Sequence, residues 1–209
     1  MKEAVNRVVG IPDMTLSLAG FRRRKRLRAR VCILRDEGGR PVASPGDVEP
    51  LLAEARRVLA LFGIDVVPAA EPLVTTLPEP APRQALDAAC AEGSWQADYG
   101  AGGAFFRRHR ARTTRGTLTG SAAPITVFVV RDVLGKAGCS LGPLVDYVTV
   151  DGDALRGRTL RVLAHELGHA CGLPHSGAAE NLMLPKRMGE RLAGWQIALL
   201  RGSRHVTYR

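Results

Sequence analysis

The segment His165-Glu-Leu-Gly-His-Ala-Cys-Gly-Leu-Pro-His175 constrains this chain more than any other feature. Residues four apart on a helix share a face, so His165 and His169 predict a helix that offers both imidazoles to one ion. Glu166 lies between them and can project beside the same ion, where it can take a proton from an attacking water. Gly172 stands three residues after His169. Glycine tolerates the left-handed backbone with which helices stop, so the chain is expected to turn there and bring His175 round as a third ligand. Three neutral imidazoles leave a zinc ion (Zn2+) one open position, the arrangement of a catalytic site and not of a closed structural one.

The rest of the chain supplies a scaffold. Arg30–Arg35 alternates around Val31 and Ile33 and predicts a first strand. Asp47 is expected to cap a helix running to about Leu61, with Val48, Leu51, Leu52, Ala55, Val58, Leu59 and Phe62 at helical spacing. Gly63 stops it, and Ile64–Val67 is a second strand. The proline-rich stretch Pro68–Pro82 reads as a loop, followed by a short helix over Arg83–Ala91. Gly93–Gly120, rich in glycine and arginine, has no clear pattern. Ile125–Val130 and Leu144–Val150 read as buried strands, with Gly135–Gly142 as an irregular edge segment between them. Leu155–Cys171 has helical spacing, and a last helix is expected over Gly189–Leu200. This order implies an α/β domain, a mixed twisted sheet backed by helices.

With those residues in view, the chain resembles the metzincin zinc endopeptidases. Met183 in Asn181-Leu182-Met183 matches the methionine which that family places in a turn beneath the metal. Ser176 after the third histidine and Pro185 two after the methionine are most similar to the matrixin branch. The specific resemblance covers about Leu155 to Arg187. It implies a zinc metalloprotease with His165, His169 and His175 as ligands and Glu166 as general base. The implied fold is a twisted, mostly parallel sheet with an antiparallel edge strand, an active-site helix and a C-terminal helix. A cleft would separate 29–175 from 176–209. By the same resemblance Ala137–Leu144 would pair with an extended peptide or protein substrate, and Leu184–Arg187 would wall the pocket for the residue after the scissile bond. The sequence also departs from the family pattern. No cysteine latency motif precedes Ala29, His109 is the only histidine before His165, so no second zinc is expected, and Pro185 replaces the tyrosine ligand of other branches.

Four cysteines, Cys32, Cys90, Cys139 and Cys171, permit two disulfides without demanding them. Cys171, two residues after His169, points away from the metal-facing side of the helix and is not expected to be a ligand. The resemblance places Cys139 along the same cleft as that helix, so Cys139 and Cys171 are expected to bond, with two buried thiols as the alternative. His109, His205 and the Asp151-Gly-Asp153 turn read as surface features; calcium at the two aspartates is the less favoured reading.

Lys and Arg number 30 against 20 Asp and Glu, a net charge of +10 that favours an acidic partner without choosing one. Residues 1–28 read as a basic tail ending in Phe21-Arg-Arg-Arg-Lys-Arg-Leu-Arg28, dispensable for turnover, ahead of a catalytic domain over 29–209. No apolar run approaches the roughly 20 residues of a membrane span, and no signal peptide is readable at the start. Two other classes compete with the enzyme: a catalytically silent zinc module, against which Glu166 counts, and a nucleic-acid binder driven by the tail.

Overall fold

The computed structural model describes residues 23–90, 100–111, 122–153, 155, 160–185 and 188–208. Most of the basic tail, parts of Gly93–Gly120 and Leu155–Cys171, and Lys186-Arg187 of the expected pocket wall lie outside these residues.

Strand β1 (Lys25–Arg35) is the spine of the sheet. Along one edge it pairs in parallel with β2 (Ile64–Pro68) and then β3 (Val74–Pro80). Along the other it meets antiparallel β9 (Val206–Tyr208) and then parallel β5 (Ile125–Val130). Beyond β5 come parallel β8 (Tyr147–Asp151) and antiparallel β7 (Gly138–Ser140), which closes the sheet. Two-residue strands β4 (Asp87–Ala88) and β6 (Asp132–Val133) form a separate parallel pair. The mostly parallel α/β sheet with an antiparallel edge strand is thus the architecture expected from the sequence.

Alternation along the strands assigns the two faces. Leu27, Ala29, Val31 and Ile33 of β1 join Ile125, Val127 and Val129 of β5 and Val148 and Val150 of β8 in the larger core. That core is covered by α1 (Pro45–Ala60), α4 (Val162–Ala170) and α5 (Gly194–Gly202). Cys32, Leu34, Phe128, Val130 and Tyr147 face the other way, beneath α2 (Arg83–Leu86) and α3 (Ala101–His109). All six residues of β5 are buried, as an apolar run covered on both faces requires.

Several boundaries differ from the sequence reading. β1 starts at Lys25, so Lys25–Arg28, read as tail, are sheet residues. Lys25 is buried because its ammonium donates to the Arg201 carbonyl at 2.8 Å and lies over the Tyr208 ring. The stretch read as a loop over Pro68–Pro82 holds β3, whose prolines are tolerated because β1 is its only strand partner among the described residues. The cap of α1 is Ser44, not Asp47; Asp47 supplies the reciprocal half of a capping box. The helix expected to Ala91 ends at Leu86, and Asp87 passes into β4. Unpatterned Gly93–Gly120 contains α3, where a side chain on Gly102 would meet the Gln84 carbonyl at 2.5 Å. Leu144 is 87% exposed, and its strand begins only at Tyr147. The active-site and final helices are shorter than their apolar patterns. No described helix is long and apolar enough to cross a membrane.

Candidate metal centre

Helix α4 brings His165 and His169 onto one side, and its end places His175 beside them. The C-terminus closes with Gly172 at φ +94°, its N–H bonded to the His169 carbonyl at 2.8 Å and the Leu173 N–H to the Gly168 carbonyl at 3.0 Å. This pair of bonds is the Schellman stop that the glycine foretold. One candidate ligand atom from each histidine lies within 4.8 Å of the others.

Two backbone carbonyls fix the imidazoles. His165 Nδ1 donates to Leu182 O at 2.8 Å, and His169 Nδ1 donates to Leu173 O at 2.7 Å. Each ring therefore keeps its proton on Nδ1 and turns the lone pair of Nε2 inward. The two Nε2 atoms then face each other at 3.0 Å. Lone pairs so close repel unless a cation lies between them, so these residues fit a zinc ion. Burial lowers the His165 pKa below its usual value and, with repulsion from His165, carries His169 down to about 4. Both rings are therefore neutral at pH 7 and able to ligate. His175 is exposed, closing the cluster from the solvent side.

Glu166 is 6% exposed and packs under edge strand β7. Burial pushes its carboxyl up to about 8, opposed by the Lys136 ammonium and the Ser140 N–H. A carboxyl held near neutrality can accept a proton and return it. The close approach depends on Gly138, where a Cβ would stand 2.9 Å from Glu166 Cγ and 2.9 Å from a Val162 methyl. Sequence reasoning missed this glycine, because only the packing of β7 on α4 gives it a role.

Met183 is fully buried beneath α4. A side chain on Gly168 would come within 2.7 Å of its sulfur, so the glycine inside the histidine motif makes room for the methionine. The turn is held by a buried amide pair. Asn181 donates to Gln196 Oε1 at 2.8 Å and accepts from the Met183 N–H at 2.9 Å. Gln196 carries no sequence signal for this role.

Other expectations fall away from the centre. Cys139 is bonded to Cys90, not to Cys171, which is a buried free thiol. The reason is strand alternation: Cys139 faces the second core, on the opposite side of the sheet from α4. His205 is buried, not surface, with Nδ1 donating to Ala123 O at 2.8 Å. His109 is half-buried, bonded to Phe105 O and paired with Glu79. Asp151 accepts from the Val133 and Asp153 N–H groups and so acts within its turn.

No protein-family model matches the sequence, and no curated protein matches it. Among solved structures, metalloproteinase-II from Bacteroides fragilis is similar, with TM-score 0.52, 10% identity, 91% of this chain covered and 61% of that chain. A zinc-dependent peptidase from Methanocorpusculum labreanum is similar at TM-score 0.45 and 15% identity, over 83% of this chain and 99% of that chain. The chain thus spans about three fifths of the Bacteroides protein's length. At 10% identity that likeness shows a shared fold.

Proposed function

We propose that the chain is a zinc-dependent endopeptidase of the metzincin type. The observation that carries this is the convergence of the His165, His169 and His175 ring nitrogens beside the buried carboxyl of Glu166. A fold shared with a metalloproteinase supports it.

Zinc, when bound by the three histidines, supplies a Lewis acid that polarises the scissile carbonyl and acidifies a water. Glu166 takes the proton of the attacking water and passes it to the departing amine nitrogen. The Leu182 and Leu173 carbonyls hold the first two histidines in the ligating tautomer. β7 pairs only with β8 among the described residues, so its outer edge is suited to align an extended peptide. The domain would begin with β1, and an acidic partner would meet the basic residues that precede it.

Zinc content and peptide hydrolysis of two variants test the reading. Glu166→Ala should keep its zinc and lose roughly 10²–10⁴-fold in rate. His175→Ala should instead weaken zinc binding. Turnover by Glu166→Ala equal to the parent's would overturn the mechanism. A zinc-loaded parent that cleaves nothing in a broad peptide library would make the chain a recognition module.

A further inference from the structure

We propose that the Cys90–Cys139 disulfide positions Glu166 through strand β7, so that a dithiol which reduces it slows peptide hydrolysis without emptying the histidine cluster. The inference rests on the reading of Glu166 as general base and adds a redox control to it.

Glu166 meets β7 at two points, one on either side of Cys139. The Gly138 backbone lies so close that a Cβ there would stand 2.9 Å from Glu166 Cγ. The Ser140 N–H favours the carboxylate form of the same side chain. Cys139 alternates with these two residues and turns its sulfur into the core on the other face of the sheet, where it is bonded to Cys90. A shift of Cys139 along or across the sheet therefore carries both contacts of Glu166 with it.

Little else holds β7. It is three residues long, and β8 is its only strand partner among the described residues. The disulfide joins it to the segment just after β4, which is itself anchored. Asp87 and Ala88 pair with Asp132 and Val133 of β6, and the Arg131 guanidinium donates to the Asp87 carboxylate at 2.7 Å. The Leu134 N–H donates to Ala88 O at 3.1 Å, and the Lys136 N–H donates to Val133 O at 2.7 Å in the turn that leads into β7. Chain and disulfide thus form a closed ring through β4, β6 and β7, and the S–S bond is the link that thiol chemistry can open.

The exchange balances with a dithiol as reductant. Cys90 is half-buried and Cys139 only 7% exposed, so a dithiol thiolate attacks Cys90 Sγ. The S–S bond breaks, and Cys139 leaves as a thiolate that takes a proton. The second thiol of the reductant then displaces Cys90, and the reductant departs as a cyclic disulfide, having given up two electrons and two protons. The Lys136 ammonium lies 3.7 Å from Cys90 Sγ and favours the thiolate released there.

The test is steady-state peptide hydrolysis by the zinc-loaded full chain in its oxidised form, after reduction by dithiothreitol, and as Cys90→Ser. Dithiothreitol binds zinc, so it is removed under argon before the assay, and zinc content and circular dichroism are measured on every sample. Reduction and Cys90→Ser should each lower kcat about 10–100-fold, while KM, zinc content and folded fraction stay at the oxidised parent's values. Reoxidation should restore the reduced chain and leave Cys90→Ser slow. Parental kcat in either folded form, or a change confined to KM, would sink this inference alone. Unfolding or loss of zinc on reduction would overturn it as well, because the bond would then hold the fold and not the base. An oxidised, zinc-loaded chain that cleaves no peptide would instead remove the peptidase reading beneath it.

Discussion

The sheet face under α4 and the face under α3 bury similar kinds of side chain but draw them from very different distances along the sequence. On the α4 side, the three clustered histidines, the buried Glu166, the stop glycine and the buried methionine lie within His165–Met183. On the α3 side, Cys90 is joined to Cys139 across 49 residues, and Arg131 bridges Glu37 and Asp87. Phe106, Phe128 and Tyr147 stack there from three separate elements, with centroids 4.8–5.9 Å apart. Chemistry that needs fixed geometry is encoded locally, where helix periodicity sets it. The opposite face is a support assembled by long-range pairing, and it should yield stability without yielding the metal site.

The largest expected effect breaks the support alone. Phe128→Ala should cost about 3–5 kcal/mol in urea unfolding, while zinc per folded chain stays at the parental level. Loss of zinc from the folded variant would show that the faces are coupled. Next, reducing Cys90–Cys139 should lower stability by about 2–4 kcal/mol, again with zinc retained; an unchanged Tm after verified reduction would remove the disulfide from the support.

Gly138→Ala probes the seam between the faces. The methyl would crowd Glu166 and Val162, so overpacking of about 1–3 kcal/mol and slower peptide hydrolysis are expected together. Parental turnover would mean that β7 does not position the base. The smallest effect concerns acid. Burial holds the His205 pKa below its usual value. The unfolded chain then takes up a proton first as pH falls below about 6.5, so stability is full above that pH and declines beneath it. In zinc-loaded protein His205→Gln should flatten the fall in Tm between about pH 7.5 and 5.5, and an identical slope would assign it elsewhere.

The α4 site was legible because each of its parts is a local rule. Spacing of four aligns His165 with His169, and Gly172 permits the left-handed stop that turns the chain toward His175. The apolar run Ile125–Val130 announced a strand buried on both faces in the same way. What periodicity could not supply was which distant segments meet. The expectation of a Cys139–Cys171 bond failed because sharing a cleft does not fix the side of a strand to which a cysteine points. α3 was hidden because Gly102, costly in an isolated helix, serves a contact with Gln84 that exists only after folding.

Sequence by itself determined the spacing that gathers His165, His169 and His175 beside Glu166, the helix stop at Gly172 and the α/β alternation, since each follows from backbone geometry over a few residues. Tertiary structure alone decided the Leu173 and Leu182 carbonyls that orient the imidazoles and the Asn181–Gln196 pair beneath Met183. It also decided the partner of Cys139 and the burial of His205. Those depend on register and packing between strands far apart in the chain, and a one-residue shift in register exchanges the two faces.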